Sequence, residues 1–88
     1  MDEYVLVVSD EDGCHVLADG GLAGLTNRLF LLPTGSYTFS IAGERDHAPG
    51  PQTVWVQHTR RDEPCVVAFV TRARVAELVA ASLVPGRV

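Results

Sequence analysis

Two cysteines and three histidines are the side chains in this chain best suited to hold a metal ion or to attack an electrophile: Cys14, His15, His47, His58 and Cys65. Thiolate sulfur and neutral imidazole nitrogen are the usual ligands of zinc, and a thiol beside an imidazole is the usual activated cysteine nucleophile. Spacing argues against the metal. None of the five falls in a Cys-x2-Cys or His-x3-His pattern, and Cys14 and His15, adjacent on one strand, would face opposite sides of it. The cysteines therefore read as core residues and the histidines as surface ones, with no metal and no cofactor expected. A thiol-dependent enzyme would need Cys14 or Cys65 beside His15 or His58 in a partly exposed, electropositive setting. Cys65, between Pro64 and a valine run, reads instead as buried. The acidic residues Asp10, Glu11, Asp12 and Asp19 offer the oxygen ligands that calcium takes, but not at the spacing of a calcium loop, so they read as solvated turns.

Composition narrows the function classes further. The 88 residues are 47% hydrophobic and 20% charged, the balance of one small globular domain with a single core. A net charge of −4 and scattered arginines argue against a nucleic-acid partner, which would need a basic patch. The absence of lysine removes Schiff-base and P-loop chemistry, and the exclusive use of arginine reads as the mark of a GC-rich genome. The start, Met1-Asp2-Glu3, is acidic and precedes an apolar run of only Tyr4 to Val8, so it has neither the basic start nor the length of a signal peptide. No apolar stretch approaches the roughly 20 residues of a membrane-spanning helix. As given, the chain reads as cytoplasmic or as a piece of something larger, with Cys14 and Cys65 reduced and unbridged.

The elements that would position these residues are strands. Tyr4 to Ser9 is rich in β-branched residues and ends in Asp10-Glu11-Asp12-Gly13, which predicts a hairpin returning along Cys14 to Ala18. Asp19-Gly20-Gly21 closes that strand, Leu22 to Gly24 reads as an irregular connection, and Thr26 to Leu31 as a third strand. Pro33-Thr34-Gly35 reads as a turn in which glycine takes a positive φ, leading into Ser36 to Ala42. There Tyr37, Phe39 and Ile41 share one face, and Ser36, Thr38 and Ser40 the other. A polar loop follows over 43–51. Gln52 to His58 alternates again, with Val54 and Val56 inward and Thr53, Trp55 and Gln57 outward. Pro64 opens a last strand, Cys65 to Val70.

The period then changes. Thr71 can cap a helix over 71–88 whose apolar positions Val75, Leu78, Val79 and Leu83 fall on one side, and Pro85-Gly86 ends it. Six strands and one helix predict a mainly β fold: a small antiparallel sandwich of immunoglobulin-like or prealbumin-like type over 1–70, with an amphipathic C-terminal helix. Tyr4 to Val8 and Val66 to Val70 are apolar on both faces, so something must cover both sides of the first and last strands: the helix, or a partner.

The chain resembles the PEGA domain, a small β-sandwich module of bacterial and archaeal proteins, over roughly residues 4 to 70. The resemblance lies in Ser9-Asp10-Glu11-Asp12-Gly13-Cys14 before Val16, in Asp19-Gly20, in Thr26, and in Leu32-Pro33-Thr34-Gly35 with Tyr37 and Phe39. Cys14 stands in place of the family's alanine and Asn27 in place of a usual proline, and the C-terminal segment lies outside the resemblance. The resemblance implies an accessory module with no catalytic residues.

The expected function is a non-catalytic, structural or protein-interaction module that self-associates through its terminal strands with Val75, Leu78, Val79 and Leu83. The alternative is a carbohydrate- or ligand-binding module using Trp55, Tyr37 and the loop from Glu44 to Pro51, and a weaker one is a thiol enzyme using Cys14 or Cys65. Trp55 alternates away from the core, so it is either open to a ligand or covered by the C-terminal helix, which needs an apolar platform; the covered arrangement is the one expected.

Overall fold

The computed structural model of the chain describes residues 2–43, 47–72 and 74. These residues are mainly β. In chain order the strands are β1 (Asp2–Val8), β2 (His15–Ala18), β3 (Gly21–Leu25), β4 (Phe30–Pro33), β5 (Gly35–Ile41), β6 (His47–Ala48), β7 (Gln52–Val56), β8 (Cys65–Ala68) and β9 (Val70–Thr71). They form a three-stranded sheet ordered β4-β1-β8, a four-stranded sheet ordered β3-β2-β5-β7, and the two-stranded pair β6-β9.

The alternation read from the sequence sets the core. Val5 and Val7 of β1 and Val67 of β8 come from one sheet, Val16, Phe39 and Val56 from the other, and with Phe69 they make one buried hydrophobic cluster. Burying each such side chain contributes roughly 1.5–3 kcal/mol, so this cluster is what holds the two sheets to each other. Tyr37, Ile41 and Val54 pack on its margin, on the inward side that the alternation of β5 and β7 assigned to them.

Several boundaries differ from the sequence reading, each for a local reason. Strands β1 and β2 do not pair as a hairpin; the 9–14 segment carries the chain from the three-stranded sheet to the four-stranded one. The segment from Leu22 to Gly24 is not irregular. Asp19 and Gly20 both take positive φ, 51° and 86°, the geometry of a tight two-residue hairpin turn, and this folds β3 back along β2. Thr26 starts no strand: Asn27 has φ 62°, which interrupts the chain before β4 begins at Phe30. Of the two glycines in β3, Gly24 is required by packing, since a Cβ there would stand 2.6 Å from Cγ of Phe30.

Pro33-Thr34-Gly35 is also no reversing turn, and Gly35 is not among the residues with positive φ. The chain bends at Thr34, leaving the three-stranded sheet as β4 and entering the four-stranded sheet as β5 without pairing the two strands. Glu3, only 5% exposed, anchors this corner. Its carboxylate accepts from the Thr34 hydroxyl, from Thr59 Oγ1 at 2.6 Å and from the Thr59 N–H at 3.0 Å. Those donors, Thr34 first, push its pKa from an ordinary 4.5 down to about 2. Tyr37 Oη closes the corner by donating to the Pro33 carbonyl at 2.6 Å.

Not every strand is antiparallel. β1 pairs antiparallel with β4 but parallel with β8, so the first strand and the main part of the expected last strand lie side by side in one sheet. The expected last strand is split at Phe69, which turns into the core while Val70–Thr71 leaves to pair with His47–Ala48. The expected 43–51 loop is therefore a short strand in part, with 44–46 outside the described residues. The helix expected over 71–88, including Val75, Leu78, Val79 and Leu83, lies outside the described residues beyond its first turn. At that start the Arg74 N–H donates to Thr71 Oγ1 at 3.4 Å, the bond a capping threonine makes.

Candidate functional site

Glu11, Cys14 and His47 gather at the 9–14 segment, which is held from both sides. Thr26, fully buried, accepts from the Cys14 N–H at 2.9 Å and donates its hydroxyl to the Glu11 carbonyl at 2.7 Å. One hydroxyl thus fixes the backbone of two residues three apart. Asn27 clamps the outer part of the same segment: its amide donates to the Ser9 carbonyl and to Asp12 Oδ1, and its carbonyl oxygen accepts from the Ser9 N–H. Backbone bonds from Thr26 to Cys14 and from Asn27 to Val7 complete the brace.

The other side is tied down through Asp10. Its carboxylate accepts from the Thr71 N–H at 2.8 Å and from the Thr71 hydroxyl at 2.7 Å, and these bonds, the hydroxyl first, hold its carboxyl below the usual range. Thr71 is the register partner of His47 in the β6-β9 pair. The 9–14 segment thereby fixes the strand that delivers His47 to it. The result is a cluster of Glu11, Cys14 and His47, all half-buried, whose ligand atoms lie within 4.8 Å of one another. Cys14 Sγ and Glu11 Oε2 are 3.3 Å apart.

His47 also borders a cleft of about 350 Å³, lined by Ser40, Ile41, Pro49, Pro51, Phe69 and Arg72 among others. Comparison with known proteins finds no matching family model, no matching curated protein and no matching solved structure.

The cluster differs from the set expected on sequence grounds. His15 and His58, the expected partners of a reactive thiol, are exposed and join no such cluster with Cys14 or Cys65 among the described residues. Cys65 is half-buried and burial pushes its thiol pKa up, which suppresses the nucleophilic thiolate. Sequence reasoning placed His47 among the candidate ligands and Glu11 among the candidate carboxylates, but did not bring the two together with Cys14. Glu11-x-x-Cys14 was readable as two donors in one turn, but His47 arrives by the β6-β9 pairing, which two residues of strand cannot announce.

A second feature is a surface rather than a pocket. With Val5, Val7 and Val67 turned inward, the other face of the three-stranded sheet carries Leu31 of β4, Tyr4, Leu6 and Val8 of β1, and Val66 and Ala68 of β8. The register sets Leu31 opposite Tyr4, Val66 opposite Leu6 and Ala68 opposite Val8, so these side chains are neighbours. Leu31 is 50% exposed and Val66 58%.

Trp55 lies elsewhere, on the outer face of the four-stranded sheet, 57% exposed and opposite Ser36. Next to that pair, Thr38 Oγ1 and Thr53 Oγ1 share a hydrogen bond of 2.9 Å. The structure does not bring Tyr37 to Trp55: Tyr37 sits on the inward face, packed against the core beside Phe39. The helix expected to cover Trp55 belongs to the residues outside the description.

Proposed function

We propose that the chain is a PEGA-like β-sandwich accessory module, non-catalytic, that self-associates through the outer face of its three-stranded sheet. The observation that carries this reading is the continuous apolar face of Leu31, Tyr4, Leu6, Val66, Val8 and Ala68, on a sheet whose opposite face already fills the core. Exposed aliphatic side chains standing singly are ordinary, but register neighbours on three adjacent strands make a patch of the kind that marks an interface. The two inner faces meeting in one hydrophobic cluster support the two-layer reading of the fold.

The partner in this reading is a second copy of the chain, meeting the same face about a two-fold axis. Val75, Leu78, Val79 and Leu83 supply the apolar stripe that extends the contact, as their spacing in the sequence implies. Val66→Asp in the full chain places an unpaired charge at the centre of the patch. Sedimentation velocity should then show a dimer for the unaltered protein and a monomer for the variant, with the same circular dichroism spectrum. A Val66→Asp protein that dimerises as before contradicts the proposal, and Thr53→Asp on the other sheet serves as the neutral control.

A second reading is favoured by Trp55. Its exposed indole beside the Ser36, Thr38 and Thr53 hydroxyls is the combination that stacks on a sugar ring and hydrogen-bonds its hydroxyl groups. A glycan array probed with the unaltered chain and with Trp55→Ala tests it: binding that depends on Trp55 supports it, and a blank array rejects it.

A further inference from the structure

We infer that Glu11, Cys14 and His47 form a binding site for one divalent, borderline-soft transition metal ion of the zinc class. Three observations converge. The donor set is a thiol, an imidazole and a carboxylate, all ligands of zinc, cobalt and nickel; calcium and magnesium take oxygen alone. The spacing fits. Sulfur at about 2.3 Å and oxygen at about 2.1 Å from a common tetrahedral centre stand roughly 3.6 Å from each other, and Cys14 Sγ and Glu11 Oε2 are 3.3 Å apart. His47 brings its nitrogen to within 4.8 Å of both.

The third observation is that the donors are held in place before any ion arrives. Cys14 and Glu11 hang from the one buried Thr26 hydroxyl, and His47 is fixed through its Thr71 register partner, which Asp10 grips with both carboxylate oxygens. Donors braced in this way lose little freedom when they bind, which is how outer hydrogen bonds raise metal affinity. The ligands come from two places 33 positions apart in the sequence, so an ion would link the 9–14 segment to β6 directly. On binding, the Cys14 thiol gives its proton to solvent and the sulfur's electron pair goes to the metal. Three protein donors leave a tetrahedral ion one position for water or an added ligand, beside the cleft that His47 borders.

The test uses the full chain, reduced and freed of metal by a chelator, and titrated with cobalt(II) alone. The expected result is one equivalent bound, a thiolate-to-cobalt charge-transfer band in the near ultraviolet, intense visible bands of tetrahedral cobalt, and displacement of both by zinc. Cys14→Ser should abolish the charge-transfer band and Cys65→Ser should keep it. Loss of outer hydrogen bonds alone lowers metal affinity roughly 10–100-fold, so His47→Gln and Glu11→Gln should each weaken binding by about tenfold or more. Circular dichroism of each variant checks folding, and if Cys14→Ser fails to fold, His47→Gln decides. An unaltered chain without the charge-transfer band overturns the site. So does a band that survives Cys14→Ser, one that vanishes in Cys65→Ser, or cobalt affinity unchanged in a folded His47→Gln protein.

Discussion

At the scale of single residues, Glu3 is the clearest case of a side chain whose role follows from its partners. A carboxylate on a strand beside the N-terminus would ordinarily be solvated, but here Thr34 and Thr59 donate to it and hold its pKa near 2 against an ordinary 4.5. A group whose folded pKa lies below its unfolded one contributes stability that is fully present above the unfolded value and lost as pH falls to the folded one. The midpoint of thermal unfolding should therefore drop as pH is lowered from about 4.5 to about 2. Glu3→Gln should be less stable at neutral pH and shallower across that window, and parallel pH profiles for the two proteins would count against the anchor. Cys65 gives a second residue-scale expectation: with its thiolate disfavoured by burial, it should react with iodoacetamide at neutral pH more slowly than free cysteine does. The proline and valines around it already pointed that way. The Glu3 anchor was not legible, because Thr34 and Thr59 are 31 and 56 positions away.

At the scale of elements, the alternation of β5 and β7 was readable and the connections were not. Phe39 and Val56 turn inward as their period of two requires, because each strand has one wet face and a side chain has only two directions to take. Asp19-Gly20 carried a hairpin signal, but the glycine-rich Gly21–Leu25 that follows lacks the β-branched residues that mark a strand, so its pairing with β2 was missed. The Pro33-Thr34-Gly35 corner misled for the opposite reason, since turn-forming residues there serve a change of sheet. Packing explains Gly24, and the prediction is sharp: Gly24→Ala drives a methyl group into the Phe30 ring. Chemical denaturation should show a loss of about 1–3 kcal/mol, typical of overpacking. Stability equal to that of the unaltered chain would mean that Phe30 is free to move aside. His47 belongs at this scale too, because only the β6-β9 pair explains how it reaches Glu11 and Cys14.

At the scale of the molecule, one small core holds two sheets, and each of its members matters. Phe39 is fully buried where β2, β5 and β7 meet the other sheet. Phe39→Ala should lower stability by roughly 3–5 kcal/mol, a large share of the 5–15 kcal/mol that small domains have, and a loss below about 1 kcal/mol would contradict this account of the core. The sequence already showed that the first and last strands are apolar on both faces, because Tyr4 to Val8 and Val66 to Val70 do not alternate. It could not show that these strands are neighbours, in parallel, with their outward side chains in one patch; that needs the β1-β8 register. The proposed self-association through this patch sets the molar mass of the unaltered chain in solution. Light scattering across a range of protein concentrations should give a mass rising to twice the 9.5 kDa of one chain. A mass that stays at that of one chain at every concentration would contradict the claim.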